Sequence, residues 1–521
     1  MKMRTPIVVA VLVAVIAAFL ALLTRFLEPS TPENATTAIR SQTVLRVGLV
    51  SLPPGRGNPY SGTSVPTIYT HRAIFDGLTF LTEEGDVLPH LATSWTMIDK
   101  VTWQFHLREG VTFSNGTPFT AESVVFAVDY LTSEEGIIES AARELGSIAS
   151  ARVVDDHTVI ISLKYPDPLL DAKVEQLLIV EPGQWQRLGR DGFAREPIGT
   201  GPFILDRWEG ASAHLSAYMG SWRPPKVDKL EFIALPDPSS RVQGILAGRI
   251  DLAVSLSLDD ARIIEAAGGV MDIGRISSTL GVVFLLTRLP DNHPLRDVRV
   301  RQALNYAVNK QAYVDALFGG FSRPASQPTT EASFGFNPEL KPYPYDPQRA
   351  HSLLVDAGYP DGFDFTVEAT IGGGASLAPA VERVASDLGR IGVQMTIRTI
   401  PVQQLIRGVQ QGDWKGEAFI MNYSSSSSRD SLRTMRMHSC LWRAAWYCDE
   451  EITEKIRTAL AEGDLEKRKR LTQEIMAYYR NNAPSIWMHE AVLFKAMSAR
   501  VKNFRQDHAI INYHDIYLED G

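Results

Sequence analysis

The stretch Trp103-Gln-Phe-His-Leu-Arg-Glu-Gly-Val-Thr-Phe-Ser-Asn-Gly-Thr-Pro-Phe-Thr-Ala-Glu-Ser-Val-Val-Phe126 contains a strand, a turn and the start of a helix. Apolar and polar residues alternate from Trp103 to Leu107, which predicts a half-buried strand. Asn115-Gly116 is a turn pair, and Thr120 is a suitable cap for the next helix. The apolar face of that helix is formed by Val124, Val125, Val128 and Leu131.

Strands and helices continue to alternate along the chain. Phe363–Ala369, a helix near Leu377–Ile391 and the strand Gln394–Ile400 form a β-α-β unit. A single long helix is predicted from Asp297 to Leu317. This alternation predicts mixed α/β domains.

Length and composition exclude several classes of protein. The 521 residues include 52 Lys and Arg against 60 Asp and Glu, for a net charge of −8, and 45% are hydrophobic. The chain is too apolar to be disordered and too acidic for a general nucleic-acid binder, which needs a basic face. It has one long apolar run, which excludes a transporter with several spans.

That apolar run, Ile7–Leu23, follows Lys2 and Arg4 and predicts an export signal. It is long for a cleaved peptide and lacks a clean small-x-small cleavage site, so residues 1–27 are either a signal peptide or an uncleaved membrane anchor. Residues 28–42 form a polar, proline-containing linker. The protein is expected outside the cytoplasm, in the periplasm or held at the membrane by the apolar run.

The only cysteines are Cys440 and Cys448. In an oxidising compartment this close pair is expected to form a disulfide. A metal site is the alternative, but two thiolates without further ligands at zinc-finger spacing make a poor one. His438 beside Cys440 is the nearest approach to a metal cluster.

No catalytic or cofactor motif is present in the sequence. His489-Glu490 lacks the second histidine of a zinc-protease helix, because Leu493 stands in its place. Ser212 lacks the glycine that ends a nucleophile elbow, and there is no Walker lysine. We therefore expect no catalytic residue, no metal and no cofactor, and hence a protein that is not an enzyme.

Seven segments resemble, in order, the extracytoplasmic solute-binding proteins of ABC importers. The similarity is to the peptide/nickel family, which includes dipeptide- and oligopeptide-binding proteins. One segment is the stretch from Trp103 to Phe126. The others are Pro197–Phe203, Leu246–Leu252, Asp297–Leu304, Tyr345–Ala350, Leu353–Tyr359 and Glu466–Pro484.

The resemblance implies an α/β, two-lobed periplasmic-binding-protein type II fold with an inserted domain in the first lobe and a ligand cleft between the lobes. Lobe 1 is expected to combine a core domain (43–75, 196–275 and 499–521) with the insertion (76–195), and lobe 2 to span 276–498. The implied function is to capture a small peptide or peptide-like solute and deliver it to the membrane subunits of an ABC permease. The protein is expected to be a monomer without nucleic-acid partners, and to contact the membrane only through an uncleaved N-terminal segment.

One departure from the family leaves the ligand open. Peptide-binding members carry an Asp for the peptide amine in the segment that corresponds to Phe419–Asp430, whereas no Asp lies beside Asn422 or Tyr423 here. A buried ammonium needs an anion, so a non-peptide solute such as an opine or a sugar conjugate is the alternative. An extracytoplasmic hydrolase and a membrane-tethered sensory or chaperone-like module are further alternatives.

The candidate ligand-binding residues follow from this alignment with the family. Asn58 and Tyr60 come after the first strand, where the fold places its cleft. Arginines near the departure suit a carboxylate, and a tryptophan suits stacking. In the second lobe the candidates are Asn422, Tyr423, Ser424, Arg429, Asp430, Arg436 and Trp442.

Overall fold

The computed structural model describes residues 42–62, 64–370, 376–425, 428–507 and 509–519. The predicted signal or anchor, 1–27, and all but the last residue of the predicted linker lie outside the described residues. Within the described ranges, every helix is too short or too polar to cross a bilayer. The described residues from Thr43 onward form one compact unit.

The strands are short except for β12 and β16. In chain order they are β1 Val44–Leu49, β2 Thr79–Leu81, β3 Val87–Pro89, β4 Ala92–Asp99, β5 Thr102–Leu107, β6 Ile148–Asp155, β7 Thr158–Leu163, β8 Phe203–Glu209, β9 Ser212–Ala217, β10 Lys229–Ala234, β11 Leu252–Leu256, β12 Val270–Phe284, β13 Asp364–Thr370, β14 Gln394–Ile400, β15 Ala418–Ser424, β16 Ser485–Met497, β17 Val501–Lys502, β18 Gln506–Asp507, β19 Ile510–Ile511 and β20 Tyr517–Leu518.

The described α-helices connect and cover these strands. They are α1 Val65–His71, α2 Ala121–Thr132, α3 Ser140–Glu144, α4 Leu170–Lys173, α5 Pro182–Phe193, α6 Pro238–Leu246, α7 Leu258–Ala266, α8 Val298–Ala307, α9 Lys310–Phe318, α10 Pro347–Asp356, α11 Leu377–Gly389, α12 Val402–Gln411, α13 Ser431–Met437, α14 Glu450–Ala461 and α15 Leu465–Asn482.

Ten strands form the main sheet, in the order β14-β13-β15-β12-β16-β11-β1-β10-β9-β8. β1 runs parallel to β10 and β11, and β13 runs parallel to β14 and β15. Strands β4 to β7 form a separate antiparallel sheet in the order β4-β5-β7-β6. The β13-α11-β14 unit predicted from the sequence is confirmed.

Buried side chains form two apolar cores. The first contains Leu45, Phe105 and Phe232, and the second contains Phe284 and Trp487. We call the part built around the first core lobe 1 and the part built around the second lobe 2. Helices α6 and α7, which the predicted boundaries assign to lobe 1, pack with the second core.

Strands β12 and β16 pair along their length and join the two halves of the main sheet. Their register shifts between Arg275 and Thr279 and again between Leu280 and Gly281. A bulge bends a strand and weakens its pairing locally. The paired strands therefore provide a place where the two lobes can turn relative to each other.

The opening stretch folds as its pattern predicts. In β5 the side chains of Trp103, Phe105 and Leu107 are buried, while His106 is exposed. The N–H of Thr120 lies 3.5 Å from Ser123 Oγ at the start of α2. The long helix predicted from Asp297 instead breaks into α8 and α9, because Asn309 caps α9 by accepting from the N–H of Ala312 at 3.1 Å.

Candidate functional site

The two lobes enclose a cavity of about 1090 Å³, which we call the interlobe cavity. Lobe 1 lines it with parts of α2 and α3 and with residues from the segments that follow. Lobe 2 lines it with the end of α12, with α13 and with the chain after α13. The charged and aromatic members of the wall are Arg143, Glu144, Lys164, Tyr165, Arg433, Arg436, Trp442 and Arg443.

On the lobe 1 side, the short helix α3 is held by the loop after β1. Ser140 Oγ donates to the carbonyl of Ser61 at 3.1 Å, and the N–H of Ala141 donates to the carbonyl of Tyr60 at 3.1 Å. Ala141 is buried. These contacts place Arg143 and Glu144, on the last turn of α3, at the cavity wall.

On the lobe 2 side, α13 begins at Asp430, whose Oδ1 accepts from the N–H of Leu432 at 3.0 Å. Leu432 and Met435 are buried, whereas Arg433 and Arg436 of the same helix line the cavity. The other oxygen of Asp430 accepts from Arg468 Nη2 at 2.7 Å, and both side chains are buried. The position of α13 therefore depends on this buried ion pair.

An ion pair crosses from one lobe to the other. Arg433 Nε donates to Glu144 Oε2 at 2.7 Å, and Nη2 donates to Oε1. Arg433 Nη1 also donates to the carbonyl of Ser424 at 2.7 Å. Burial lowers the pKa of Arg433. The hydrogen bonds and the charge of Glu144 raise it by more than burial lowers it, so the pKa lies above its usual value.

A second interlobe contact lies near Arg275, where the register of β12 and β16 shifts. Arg429, which has a left-handed backbone with φ of 51°, donates from Nη2 to the carbonyl of Glu83. Lys173 Nζ of lobe 1 lies 3.9 Å from Asp430 Oδ2. Arg429 also lines a smaller cavity of about 380 Å³ together with Arg275. In the described residues, the charged side chains of Arg433, Arg429 and Lys173 therefore each contact the other lobe.

The described wall of the interlobe cavity is strongly cationic. It carries five cationic side chains and one carboxylate, that of Glu144, which is bound by Arg433. Apolar side chains, among them Leu131 and Met437, line the same wall. This wall suits a small solute with anionic groups on a partly apolar frame.

Comparison with known sequences places the chain in a family. The sequence profile of bacterial extracellular solute-binding proteins, family 5 (middle region), matches residues 86–439. The chain belongs to this family. The peptide/nickel-type resemblance of the motifs is thereby confirmed.

Curated relatives of this family 5 protein include the glutathione-binding protein GsiB of Escherichia coli (strain K12). It is 25% identical over 466 residues, which cover 86% of this chain and 88% of the relative. The Salmonella typhimurium protein of the same name is 26% identical over the same coverage.

Solved structures share the fold. The substrate-binding protein CtaP from Listeria monocytogenes has a TM-score of 0.82 at 19% identity, covering 92% of this chain and 100% of that one. DppA from Helicobacter pylori in complex with the peptide STSA has a TM-score of 0.77 at 22% identity, covering 92% and 99%. The expected two-lobed type II periplasmic-binding-protein fold is confirmed.

The structure places Asn58 and Tyr60 inside lobe 1 and not on the described cavity wall. Asn58 Nδ2 donates to Glu139 Oε1 at 3.1 Å. Tyr60 is fully buried, and its hydroxyl donates to the carbonyl of Leu178 at 3.0 Å. Both side chains form hydrogen bonds within lobe 1. Tyr60 contributes to the cavity only indirectly, because its carbonyl accepts from the N–H of Ala141 in α3.

The three predicted residues of β15 also differ from the expected arrangement. Tyr423 is fully buried; its hydroxyl bonds Ser485 Oγ and its ring stacks on His438 with centroids 4.1 Å apart. Asn422 points to the opposite face of the strand and is exposed. Ser424 contacts the cavity residue Arg433 through its backbone carbonyl, which accepts a hydrogen bond from Arg433 Nη1. Ser426, in the serine run that follows, lies outside the described residues.

Of the remaining candidates, Arg436 and Trp442 line the interlobe cavity. Trp442 Nε1 donates to the carbonyl of Val409 at 2.7 Å, which fixes the indole at the wall. Arg429 and Asp430 do not line the interlobe cavity. Asp430 is engaged by Arg468 and by the N-terminus of α13, so it is not free to bind a peptide amine.

The sequence prediction did not include Arg143, Glu144, Lys164 and Arg443. The first two lie on a five-residue helix that has no apolar period, and Lys164 follows a strand whose pattern only indicates burial. A charge count over the inserted domain does not separate them from surface residues. The one sequence feature that could have indicated this cationic wall is the pair Arg433 and Arg436, which are three positions apart.

The structure joins Cys440 and Cys448 in a disulfide with Cα atoms 4.5 Å apart. Glu450 lies close to the two sulfurs. Because these sulfurs are bonded to each other, they are not thiolate ligands. His438 lies in the core, where its Nδ1 accepts from Trp446 Nε1 at 2.9 Å.

Burial lowers the pKa of His438 to about 3. Its neutral form is therefore favoured in the folded state, and stability is lost as the pH falls below about 6.5, the pKa in the unfolded chain. We expect this residue to remove about 1 kcal/mol from the free energy of unfolding between pH 6.5 and 5.5. Urea titrations of the wild type and His438→Gln at both pH values measure this difference.

His351→Gln is the matched control for that experiment, because His351 is exposed on α10. The control is expected to keep the pH dependence of the wild type, whereas His438→Gln should reduce it. An unchanged pH dependence in His438→Gln would contradict the prediction.

Proposed function

We propose that this protein is the solute-binding component of an ABC import system. It captures a short peptide or peptide-like solute in the interlobe cavity and delivers it to a membrane permease. It acts as a monomer outside the cytoplasmic membrane and has no catalytic role.

The observation that carries this proposal is the division of the cavity wall between two lobes. Glu144 belongs to lobe 1 and Arg433 to lobe 2, so their ion pair requires the two lobes to be in contact. A solute that contacts both walls binds the closed arrangement better than an open one and shifts the population toward closure. A permease can then distinguish the loaded protein by its closed shape.

The names of the relatives support a peptide. GsiB is a glutathione-binding protein, and DppA was solved with the peptide STSA. A cavity of about 1090 Å³ is at the large end of small-molecule sites and accommodates a few residues.

The electrostatics of the wall favour a second candidate, a non-peptide solute such as an opine. Glu144 is the one carboxylate of the described wall, and Arg433 binds both of its oxygens. An ammonium buried without a free anion costs several kcal/mol. The structure of AgaA with agropinic acid has a TM-score of 0.75 to this chain at 20% identity, so the fold admits such a ligand.

Native mass spectrometry of the purified protein, followed by denaturing release of any bound molecule, tests the proposal. A stoichiometric adduct that fragments as a short peptide would support the first candidate, and an opine or sugar conjugate the second. The same spectrum gives the mass of the mature N-terminus. It distinguishes a cleaved signal peptide from a retained anchor at Ile7–Leu23.

Fluorescence titration with peptides and opines provides the second test. Because Trp442 lies on the cavity wall, we expect the emission to change on binding and the change to shrink in Trp442→Phe. A ligand at about 100 times its Kd should stabilise the fold by about 2.7 kcal/mol. If no member of either ligand class changes the emission or the thermal midpoint, the proposal is wrong.

A further inference from the structure

We propose that the solute of the interlobe cavity is anionic and carries at least two carboxylates. This inference rests on the proposed function, because it concerns the ligand of the same cavity. It goes beyond that function by specifying the charge of the solute.

Four cations on the described wall have no carboxylate within ion-pair distance in the described part of the chain: Arg143, Lys164, Arg436 and Arg443. The hydrogen bond recorded for Arg143 goes to a neutral group, Ser140 Oγ, at 3.0 Å. By contrast, Arg433, the fifth cation, is bound by Glu144. The wall therefore presents an excess of positive charge that the described protein does not neutralise.

This excess is local, since the whole chain has 52 basic residues against 60 acidic ones and a net charge of −8. A random sample of this surface would carry slightly more acids than bases. The wall carries five bases and one acid. A concave, partly apolar wall of one charge sign concentrates the opposite ion.

The four cations are divided equally between the lobes. Arg143 and Lys164 belong to lobe 1, whereas Arg436 and Arg443 belong to lobe 2. Closing an empty cavity brings these like charges together, which opposes closure. An anionic solute placed between them reverses the sign of that interaction, so closure becomes dependent on the anion.

The positions of the cations indicate more than one anionic group. A single carboxylate is bound bidentately by one arginine, and two such sites on facing walls need two carboxylates. Apolar side chains and Trp442 also line the cavity. An acidic peptide and a dicarboxylate opine both provide this chemistry.

Isothermal titration calorimetry with matched ligands tests the inference. The probes are the tripeptides Glu-Ala-Glu, Gln-Ala-Gln and Lys-Ala-Lys, an opine with three carboxylates, N-(1-carboxyethyl)glutamate, and its triamide. We expect each acidic probe to bind at least about tenfold more tightly than its neutral isostere. Arg436→Gln and Arg143→Gln should each weaken binding of the acidic probes by about tenfold or more, and should weaken binding of the neutral probes much less.

Arg152→Gln and Arg470→Gln are the controls, because both arginines are exposed and neither lines the cavity. They should leave every Kd within about twofold. Tighter binding of the opine than of Glu-Ala-Glu assigns the two carboxylates to a non-peptide source, and the reverse order assigns them to a peptide.

Equal affinity for acidic and neutral probes would overturn the inference and leave the proposed function standing. Failure of all probes to bind a protein with an intact thermal transition would overturn both. Loss of affinity for acidic and neutral probes alike in Arg436→Gln would show a structural role for this arginine and would also contradict the inference.

Discussion

Arg468→Met is expected to lower the free energy of unfolding by about 3 to 5 kcal/mol. Arg468 is 1% exposed, and its Nη2 donates to Asp430 Oδ2 at 2.7 Å. Without the arginine, the Asp430 side chain is left at 2% exposure with Lys173 Nζ 3.9 Å away. A buried charge that loses its partner costs far more than the pair contributed.

Urea unfolding followed by circular dichroism measures this loss. Arg470→Met, two positions further along α15, is the matched control because Arg470 is exposed, and it should change the free energy by less than about 0.5 kcal/mol. The double variant Asp430→Asn/Arg468→Met should recover part of the stability, since neither charge remains. A loss below about 1 kcal/mol in Arg468→Met would contradict the prediction.

Arg468→Met is also expected to affect solute binding in the interlobe cavity. Asp430 caps α13, and α13 carries Arg433 and Arg436 to the cavity wall. A shift of this helix would separate Arg433 from Glu144. We therefore expect Arg468→Met to weaken solute binding even under conditions where the protein remains folded.

Elements with a clear period were predictable from the sequence. The alternation around Phe105 and the apolar face of α2 are local properties, and both were found where the pattern put them. The break between α8 and α9 was missed because Val308 and Asn309 do not interrupt the apolar period. Only the capping bond of Asn309 and the extended backbone of Val308 end the first helix.

The site was much less predictable. Tyr60 lies in the turn-rich segment after β1, and its side chain is buried in the core of lobe 1. Tyr423 lies on β15, where successive side chains point to opposite faces, and its side chain is buried in the core of lobe 2. Arg143, Lys164 and Arg443 come from three distant segments. They line one cavity only in the folded protein, where the two lobes are in contact, and no linear motif in the sequence predicts this arrangement.

The two glycines of the family-like segment Pro197–Phe203 lie where the chain passes close to another segment. Neither Gly199 nor Gly201 has a positive φ. Both instead pass against the chain at Ile74, whose carbonyl accepts from the N–H of Gly201 at 2.9 Å. Glycine is required at position 199 because the neighbouring chain leaves no space for a side chain.

Gly199→Ala is expected to cost about 3 kcal/mol of stability. A Cβ at this position would overlap the carbonyl oxygen of Ile74 and lie 2.7 Å from Cδ1 of Phe75. Gly389→Ala is the control, because Gly389 ends α11 and a Cβ there meets no atom within 4 Å. This second substitution should stabilise the protein by up to about 1 kcal/mol, since alanine is the better helix former. Urea midpoints that shift in opposite directions would support the steric argument, and a midpoint of Gly199→Ala close to that of the wild type would refute it.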